Sequence, residues 1–179
     1  HGAKVQQDVF DCFLLLLCAM EMTHVRKGTK ADLREALALI QELAVYEKEP
    51  EAVVVSVEQM EAWGFQENPH FEFFVAERNE QIVGIAFYYI RYSTWKGPMI
   101  YLEDIVVKEE SRGNGIGARL FEAVANVCAE RNFHGMTWQV LDWNEPALNF
   151  YRKYNATFSA EWLNGYLFTQ QIREAAWHK

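Results

Sequence analysis

The residues of this 179-residue chain whose types and spacing could do chemistry are concentrated between positions 99 and 118. Two adjacent carboxylates, Glu103 and Asp104, interrupt an apolar run, and Arg112 precedes a glycine-rich stretch at 113–117. Glycines let a backbone approach a ligand closely, and the free N–H groups at the start of a helix bind phosphate. The pattern predicts a phosphate-binding turn with an added cation, next to a carboxylate that could exchange a proton.

A strand and a helix must position these groups. Residues 99–107 are rich in β-branched and aromatic side chains, which predicts a strand that carries the carboxylates. Apolar residues recur at helical spacing over 116–131, which predicts a helix beginning at the glycines. On a regular strand Glu103 and Asp104 face opposite sides, so we do not expect both to point at one substrate. A solvated or salt-bridged pair is the alternative interpretation.

The rest of the chain predicts a mixed α/β fold. The further predicted elements are a strand at 23–28, a helix at about 29–46, a helix capped by Ser56 and Gln59, a hairpin at 71–92, a strand at 135–141, a short helix capped by Asn144, and closing strands at about 157–162 and 165–171 that meet at a turn of Asn164 and Gly165. We therefore predict a mixed, mostly antiparallel twisted sheet of about six to seven strands, with helices on both faces.

Composition limits the classes of partner and compartment. The net charge is −8 and no Lys/Arg cluster is present, so a nucleic-acid partner is not expected. Three cysteines without a CxxC pattern favour a reducing compartment, and we expect a cytoplasmic protein. The five histidines lie far apart without metal-ligand spacing, so no metal is expected.

The first residues differ in composition from the rest. The apolar run at 12–20 is far shorter than a membrane span, which needs about 20 residues, and its flanks do not suit a signal peptide. We interpret 1–21 as an N-terminal extension of uncertain origin, expect no membrane partner, and predict that 22–179 forms a single domain.

The glycine turn also matches the dinucleotide fingerprint G-x-G-x-x-G/A through Gly113, Gly115 and Ala118, with Asp142 downstream as a candidate ribose ligand. In a Rossmann unit the first glycine follows its strand almost directly, whereas five polar residues, 108–112, intervene here. A NAD(P)-binding oxidoreductase is therefore the less favoured hypothesis.

At these residues the chain resembles the GNAT superfamily of N-acetyltransferases, whose Arg/Gln-x-x-Gly-x-Gly/Ala pattern appears at 112–117. The resemblance extends over about 22–170 and is strongest toward the diamine and polyamine acetyltransferases of the spermidine/spermine N1 or thialysine type. The segments that carry this closer resemblance lie at 41–47, 101–104 and 143–151.

The resemblance implies acetyl transfer from acetyl-CoA to a primary amine of a small molecule, by direct attack in a ternary complex and without a metal. It implies Tyr151 as the general acid and Glu103 as the acceptor of the amine's proton, which leaves Asp104 a structural role. The residues implied to bind the cofactor are Ile105, Val106, Val107, Arg112, Gly113, Asn114, Gly115, Ile116, Gly117, Ala118, Asn144, Glu145, Pro146 and Ala147.

The implied acceptor site comprises Tyr46, Glu47 and Trp95 together with Glu103. Polyamine enzymes place an aspartate where this chain has Ser93, so a shorter or less charged amine is expected. The resemblance also implies a homodimer. A non-catalytic acyl-CoA-binding module is the alternative function; it would need Arg112 and the glycines but not Tyr151.

Overall fold

The structure is a computed structural model that describes residues 23–174. These residues fall into two compact units that divide between Gln139 and Val140. The extension predicted at 1–21 lies outside the described residues, and the single domain predicted for 22–179 stays a prediction. None of the helices within 23–174 combines the length and apolar character that a membrane span requires.

The first unit is a five-stranded sheet with three α-helices. Its elements are β1 (His24–Lys27), α1 (Leu33–Tyr46), α2 (Val57–Gly64), β2 (Glu72–Arg78), β3 (Gln81–Ser93), β4 (Gly97–Val107), α3 (Ile116–Glu130) and β5 (Met136–Thr137), with 3₁₀ turns at Lys30–Asp32 and Glu109–Ser111. The strands lie in sequence order, and all pairs are antiparallel except β4 with β5, which is parallel.

The sheet is covered by helices on both faces, as the sequence predicts. One face packs against α1 and α2 around stacked rings of Phe73 and Phe87, whose centroids are 4.5 Å apart. On the other face, a Cβ added to Gly84 of β3 would lie 2.9 Å from the carbonyl oxygen of Val106 and 3.0 Å from Leu120 of α3, so a larger residue would require these neighbours to shift. The helices thus fix β4, the strand that carries the carboxylates, from both sides.

The start of α1 depends on a buried carboxylate. Asp32 accepts hydrogen bonds from Arg26 Nη1 at 2.7 Å and Nη2 at 2.9 Å, and from the backbone N–H of Thr29 at 2.7 Å. The bidentate bond from Arg26 lowers the pKa of Asp32 from its ordinary 3.8 to about 2. These bonds connect β1 to the first turn of the helix that ends at Tyr46 and Glu47.

Substituting Asp32 by alanine should lower the free energy of unfolding by about 2 kcal/mol, because Arg26 and the Thr29 amide would lose a buried acceptor. Urea denaturation measures this loss. Since the folded pKa is depressed, the stabilisation is present at neutral pH and should be lost as the pH falls from about 4 toward 2. Glu61→Ala, which removes an exposed ion pair with Lys30, should cost less than about 0.5 kcal/mol.

The second unit contains α4 (Glu145–Arg152) and α5 (Thr169–Glu174). The Asn144 side chain caps α4 as predicted, because its Oδ1 accepts a hydrogen bond from the Ala147 N–H at 3.2 Å. The predicted closing strands at 157–162 and 165–171 are wrong: residues 155–168 are irregular, and α5 begins within the second predicted strand.

The described sheet therefore has five strands, fewer than the predicted six to seven. A hairpin is marginal in water unless its strands pair with a larger sheet, and no described strand pairs with 157–171. The apolar residues that suggested strands there are instead exposed, with Trp162 79% and Leu163 96% accessible. The strand predicted at 135–141 shortens to Met136–Thr137 because only these two residues pair with β4.

Candidate active site

The carboxylate strand β4 carries a β-bulge at Glu103. Phe87 of β3 pairs with Asp104, and the next residue, Tyr88, pairs with Leu102, so Glu103 has no partner in the ladder. An extra residue of this kind interrupts the regular alternation of side chains and bends the strand. The bulge removes the regular alternation from which Glu103 and Asp104 were expected to face opposite sides of the sheet.

Three carboxylates surround this bulge. Burial and the charges of Glu103 and Glu47 raise the pKa of Asp104 from 3.8 to about 6. Burial also raises the pKa values of Glu103 and Glu47 above their ordinary 4.5. The structure thus brings Glu47, at the end of α1, into the electrostatic range of the acidic pair on β4. A cluster of this kind favours a bound cation or a bound proton.

Two tyrosines, one on β3 and one on β4, extend the cluster of carboxylates. The rings of Tyr89 and Tyr101 are stacked with centroids 5.0 Å apart. Burial and the charge of Glu103 raise the pKa of Tyr89, which places its phenol near that carboxylate. From the sequence, Asp104 was expected to be structural, and Tyr89 and Tyr101 were not predicted to lie near Glu103. Aromatic residues at alternate positions of two adjacent strands were the available signal for the tyrosines.

The glycine turn has the backbone of an anion-binding site. Gly113 and Gly115 have φ values of 80° and 71°, in the left-handed region that favours glycine. A Cβ added to either residue would meet no atom within 4 Å, so the space above the turn is open. Gly115 is the N-cap of the 15-residue α3, and Ile116 is buried and anchors the first turn. Residues 113–118 therefore fit a phosphate at a helix N-terminus.

Arg112 lies between this turn and the end of α1. Its Nε donates a hydrogen bond to the carbonyl of Val107 at 3.0 Å, and its guanidinium carbon lies 6.0 Å from the centre of the Tyr46 ring. Ile105 and Val107 are half-buried at the end of β4, and Val106 belongs to the core. The predicted cofactor residues of the first unit therefore form one continuous segment.

Trp95 is not brought together with the other predicted acceptor residues. It lies in the turn between β3 and β4 and is 85% exposed. Its backbone N–H donates to the Ser93 hydroxyl at 3.3 Å within the same turn. Its assignment to the acceptor site stays a prediction.

The remaining predicted residues share one helix of the second unit. Asn144, Leu148 and Tyr151 are buried and lie on one face of α4, while Glu145 and Pro146 are exposed in its first turn. The ring of Tyr151 is 5.1 Å from that of Phe150 in an edge-on contact. Asn144 and Tyr151 therefore lie on the same face of α4, and the roles predicted for them stay predictions.

Across residues 23–174, no cluster of His, Cys, Asp and Glu has the arrangement to hold a metal ion.

Comparisons with known proteins agree with this geometry. The model of the acetyltransferase (GNAT) family matches residues 34–156, and the chain belongs to this family. The match spans α1, the bulged strand, the glycine turn and Tyr151. The predicted fold class and the prediction of an N-acetyltransferase enzyme are thereby confirmed.

Several curated relatives are thialysine N-epsilon-acetyltransferases. The Bos taurus enzyme is 40% identical over 145 residues, covering 76% of this chain and 85% of its own, and the Mus musculus enzyme is 37% identical, covering 88% and 99%. The spermidine/spermine N(1)-acetyltransferase-like protein 1 of Homo sapiens is 29% identical over 90% of this chain and 25% of its own length. The predicted relation to diamine and polyamine acetyltransferases is confirmed.

Solved structures show the same fold at lower identity. An aminoglycoside acetyltransferase from an uncultured soil metagenomic sample superposes with a TM-score of 0.68 at 22% identity, covering 82% of this chain and 95% of the other. A possible acetyltransferase from Clostridium difficile 630 gives 0.67 at 23% identity, covering 83% and 99%.

Proposed function

We propose that this enzyme transfers the acetyl group of acetyl-CoA to a primary amine of a small molecule, by direct attack in a ternary complex. The observation that carries the proposal is the group of three carboxylates, Glu47, Glu103 and Asp104, around the bulge of β4, of which Glu47 and Asp104 are half-buried. Such a group suits a substrate that arrives as an ammonium ion and must lose a proton before it reacts.

The donor side of the proposal rests on the glycine turn. Arg112 and the amides of 113–118 would hold the pyrophosphate, and the backbone of 105–107 would pair with the pantetheine arm as an added strand. Asn144, Glu145, Pro146 and Ala147 would lie along the cofactor, as the family resemblance implies. When bound, acetyl-CoA supplies the acetyl group as a thioester.

Three proton transfers accompany the reaction. Glu103 accepts a proton from the substrate ammonium, directly or through a water, which frees the nitrogen lone pair to form the new C–N bond. As the C–S bond breaks, the O–H of Tyr151 donates its proton to the departing thiolate sulfur, and the second proton of the attacking nitrogen passes to the Tyr151 phenolate, which leaves a neutral amide. A backbone N–H at the bulge of β4 is the proposed donor to the carbonyl oxygen of the reacting acetyl group.

The acceptor we favour is a small diamine or an amino thioether. Thialysine acetyltransferases are among the relatives, and the site offers Tyr46, Glu47 and, by resemblance, Trp95 for one end of the amine. Ser93 stands where polyamine enzymes place an aspartate, which reduces the negative charge available to a longer polyamine.

Family membership favours acetyl transfer over the two alternatives, a non-catalytic acyl-CoA-binding module and a NAD(P)-binding oxidoreductase. We further propose a cytoplasmic homodimer that acts without nucleic-acid or membrane partners. Size-exclusion chromatography with light scattering tests the dimer: a mass near 42 kDa, twice the chain mass of 20.9 kDa, is expected.

An amine panel tests the proposed substrate class. Purified protein with acetyl-CoA should release CoA thiol in the presence of thialysine or ornithine, with kcat/KM at least about tenfold above that for spermidine, a preference worth about 1.4 kcal/mol. Thermal-shift measurements with CoA and with NAD(H) provide the parallel control. Stabilisation by NAD(H) alone would overturn the donor, and equal or better use of spermidine would overturn the acceptor preference.

A further inference from the structure

We propose that Tyr46 is a positioning residue for the donor, acting through Arg112, in addition to its place beside the acceptor. The proposal rests on the proposed function, because it takes the ligand of Arg112 to be the pyrophosphate of CoA. The family resemblance assigns Tyr46 to the amine side alone. The contact between its ring and the Arg112 guanidinium connects it to the cofactor side.

The geometry of Arg112 supports this role. The side chain is exposed, and an exposed arginine normally samples many rotamers. Here the Nε–H is committed to the Val107 carbonyl, and the Tyr46 ring lies within cation–π distance of the guanidinium. Both contacts leave the two terminal nitrogens of Arg112 able to donate to a phosphate. Because the contacts hold the guanidinium in place, they reduce the conformational entropy that this side chain loses on binding.

The position of Tyr46 in the fold explains how one helix end could serve both substrates. Tyr46 is the last residue of α1, and Glu47 is its C-cap. Tyr46 contacts the arginine of the donor side, whereas Glu47 lies within electrostatic range of Asp104 on the acceptor side. The adjacent residues are therefore connected to different halves of the reaction.

Isothermal titration with CoA tests the proposal. Tyr46→Leu, which removes the ring, should weaken CoA binding by about two- to fivefold, the range expected for an exposed cation–π contact. Tyr46→Gln should do the same, whereas Tyr46→Phe, which keeps the ring, should bind CoA as the wild type does. Val45→Ala, at the exposed neighbouring position of α1, is the matched control. In steady-state assays the effect of Tyr46→Leu should fall on the KM for acetyl-CoA rather than on kcat.

A double-mutant cycle separates action through Arg112 from a general effect. In an Arg112→Gln background, Tyr46→Leu should no longer weaken CoA binding, because the cation it orients is gone. Unchanged CoA affinity in Tyr46→Leu, with a raised KM for the amine only, would overturn the proposal and return Tyr46 to the acceptor site alone. Failure of the wild type to bind CoA would instead overturn the proposed donor, so the two failures are distinguishable.

Discussion

Replacing Tyr151 by phenylalanine should lower the single-turnover rate of acetyl transfer by about 10²- to 10⁴-fold, the range typical for loss of a general acid. The phenol is proposed to protonate the departing CoA thiolate, and phenylalanine fills the same space without a proton to give. Tyr151 is buried on the same face of α4 as the capping Asn144, so the substitution should leave the helix intact. CoA affinity, measured by titration, should stay within twofold of the wild type.

Tyr154→Phe is the matched control for Tyr151. Tyr154 lies two residues after the end of α4, is 37% exposed, and its ring packs against Phe150 at 5.5 Å, so it shares the aromatic surroundings without the proposed role. The single-turnover rate of Tyr154→Phe should stay near that of the wild type. If Tyr151→Phe retains full single-turnover activity, Tyr151 is not the essential acid. The proton would then come from a different donor, such as water.

Local signals predicted most of the first unit correctly because they depend on neighbouring residues alone. The capping box of Ser56 and Gln59 does begin α2, and the hairpin predicted at 71–92 does form from β2 and β3. The glycines at 113 and 115 mark the start of α3 because their left-handed φ values suit few other residues. The glycine turn at the start of α3 was therefore predictable from spacing.

The acidic side of the site was less predictable because it depends on pairing between distant segments. A bulge at Glu103 is a property of the β3–β4 register, and nothing in the residue types at 101–105 requires it. The closeness of Glu47 to Asp104 depends on how α1 packs against the sheet. The alternation of side chains along one strand, considered without its partner strand, therefore did not reveal the bulge at Glu103.

The incorrect closing hairpin has a related cause. Apolar and aromatic residues at 157–171, with a favourable Asn-Gly turn, satisfy the local requirements of two strands. Strands also need a sheet edge to supply hydrogen bonds, and a single sequence does not reveal whether one is available. Local propensity thus predicted strands in a segment that is irregular in the described structure.

Glu103→Gln should reduce kcat/KM for the amine by about 10²-fold or more, because glutamine keeps the size of the side chain but cannot accept the proton of the ammonium. The pH dependence gives a second readout. Burial raises the pKa of Glu103, so the carboxylate is available above that raised value and activity should be lost as the pH falls through it. The acid limb of the wild-type profile should therefore lie above 4.5, the ordinary value for glutamate. In Glu103→Gln this limb should disappear from the residual activity.

Two further variants assign the proton to one carboxylate. Glu109→Gln, at an exposed position in the 3₁₀ turn after β4, should change neither kcat/KM nor the acid limb. Asp104→Asn leaves the Glu103 carboxylate in place, and burial alone raises the pKa of Glu103, so this variant should retain both the chemistry and the acid limb. If Glu103→Gln stays within threefold of the wild type and Asp104→Asn is the inactive variant, the proton acceptor is Asp104. The bulge would then serve to place Asp104, rather than Glu103, beside the reacting amine.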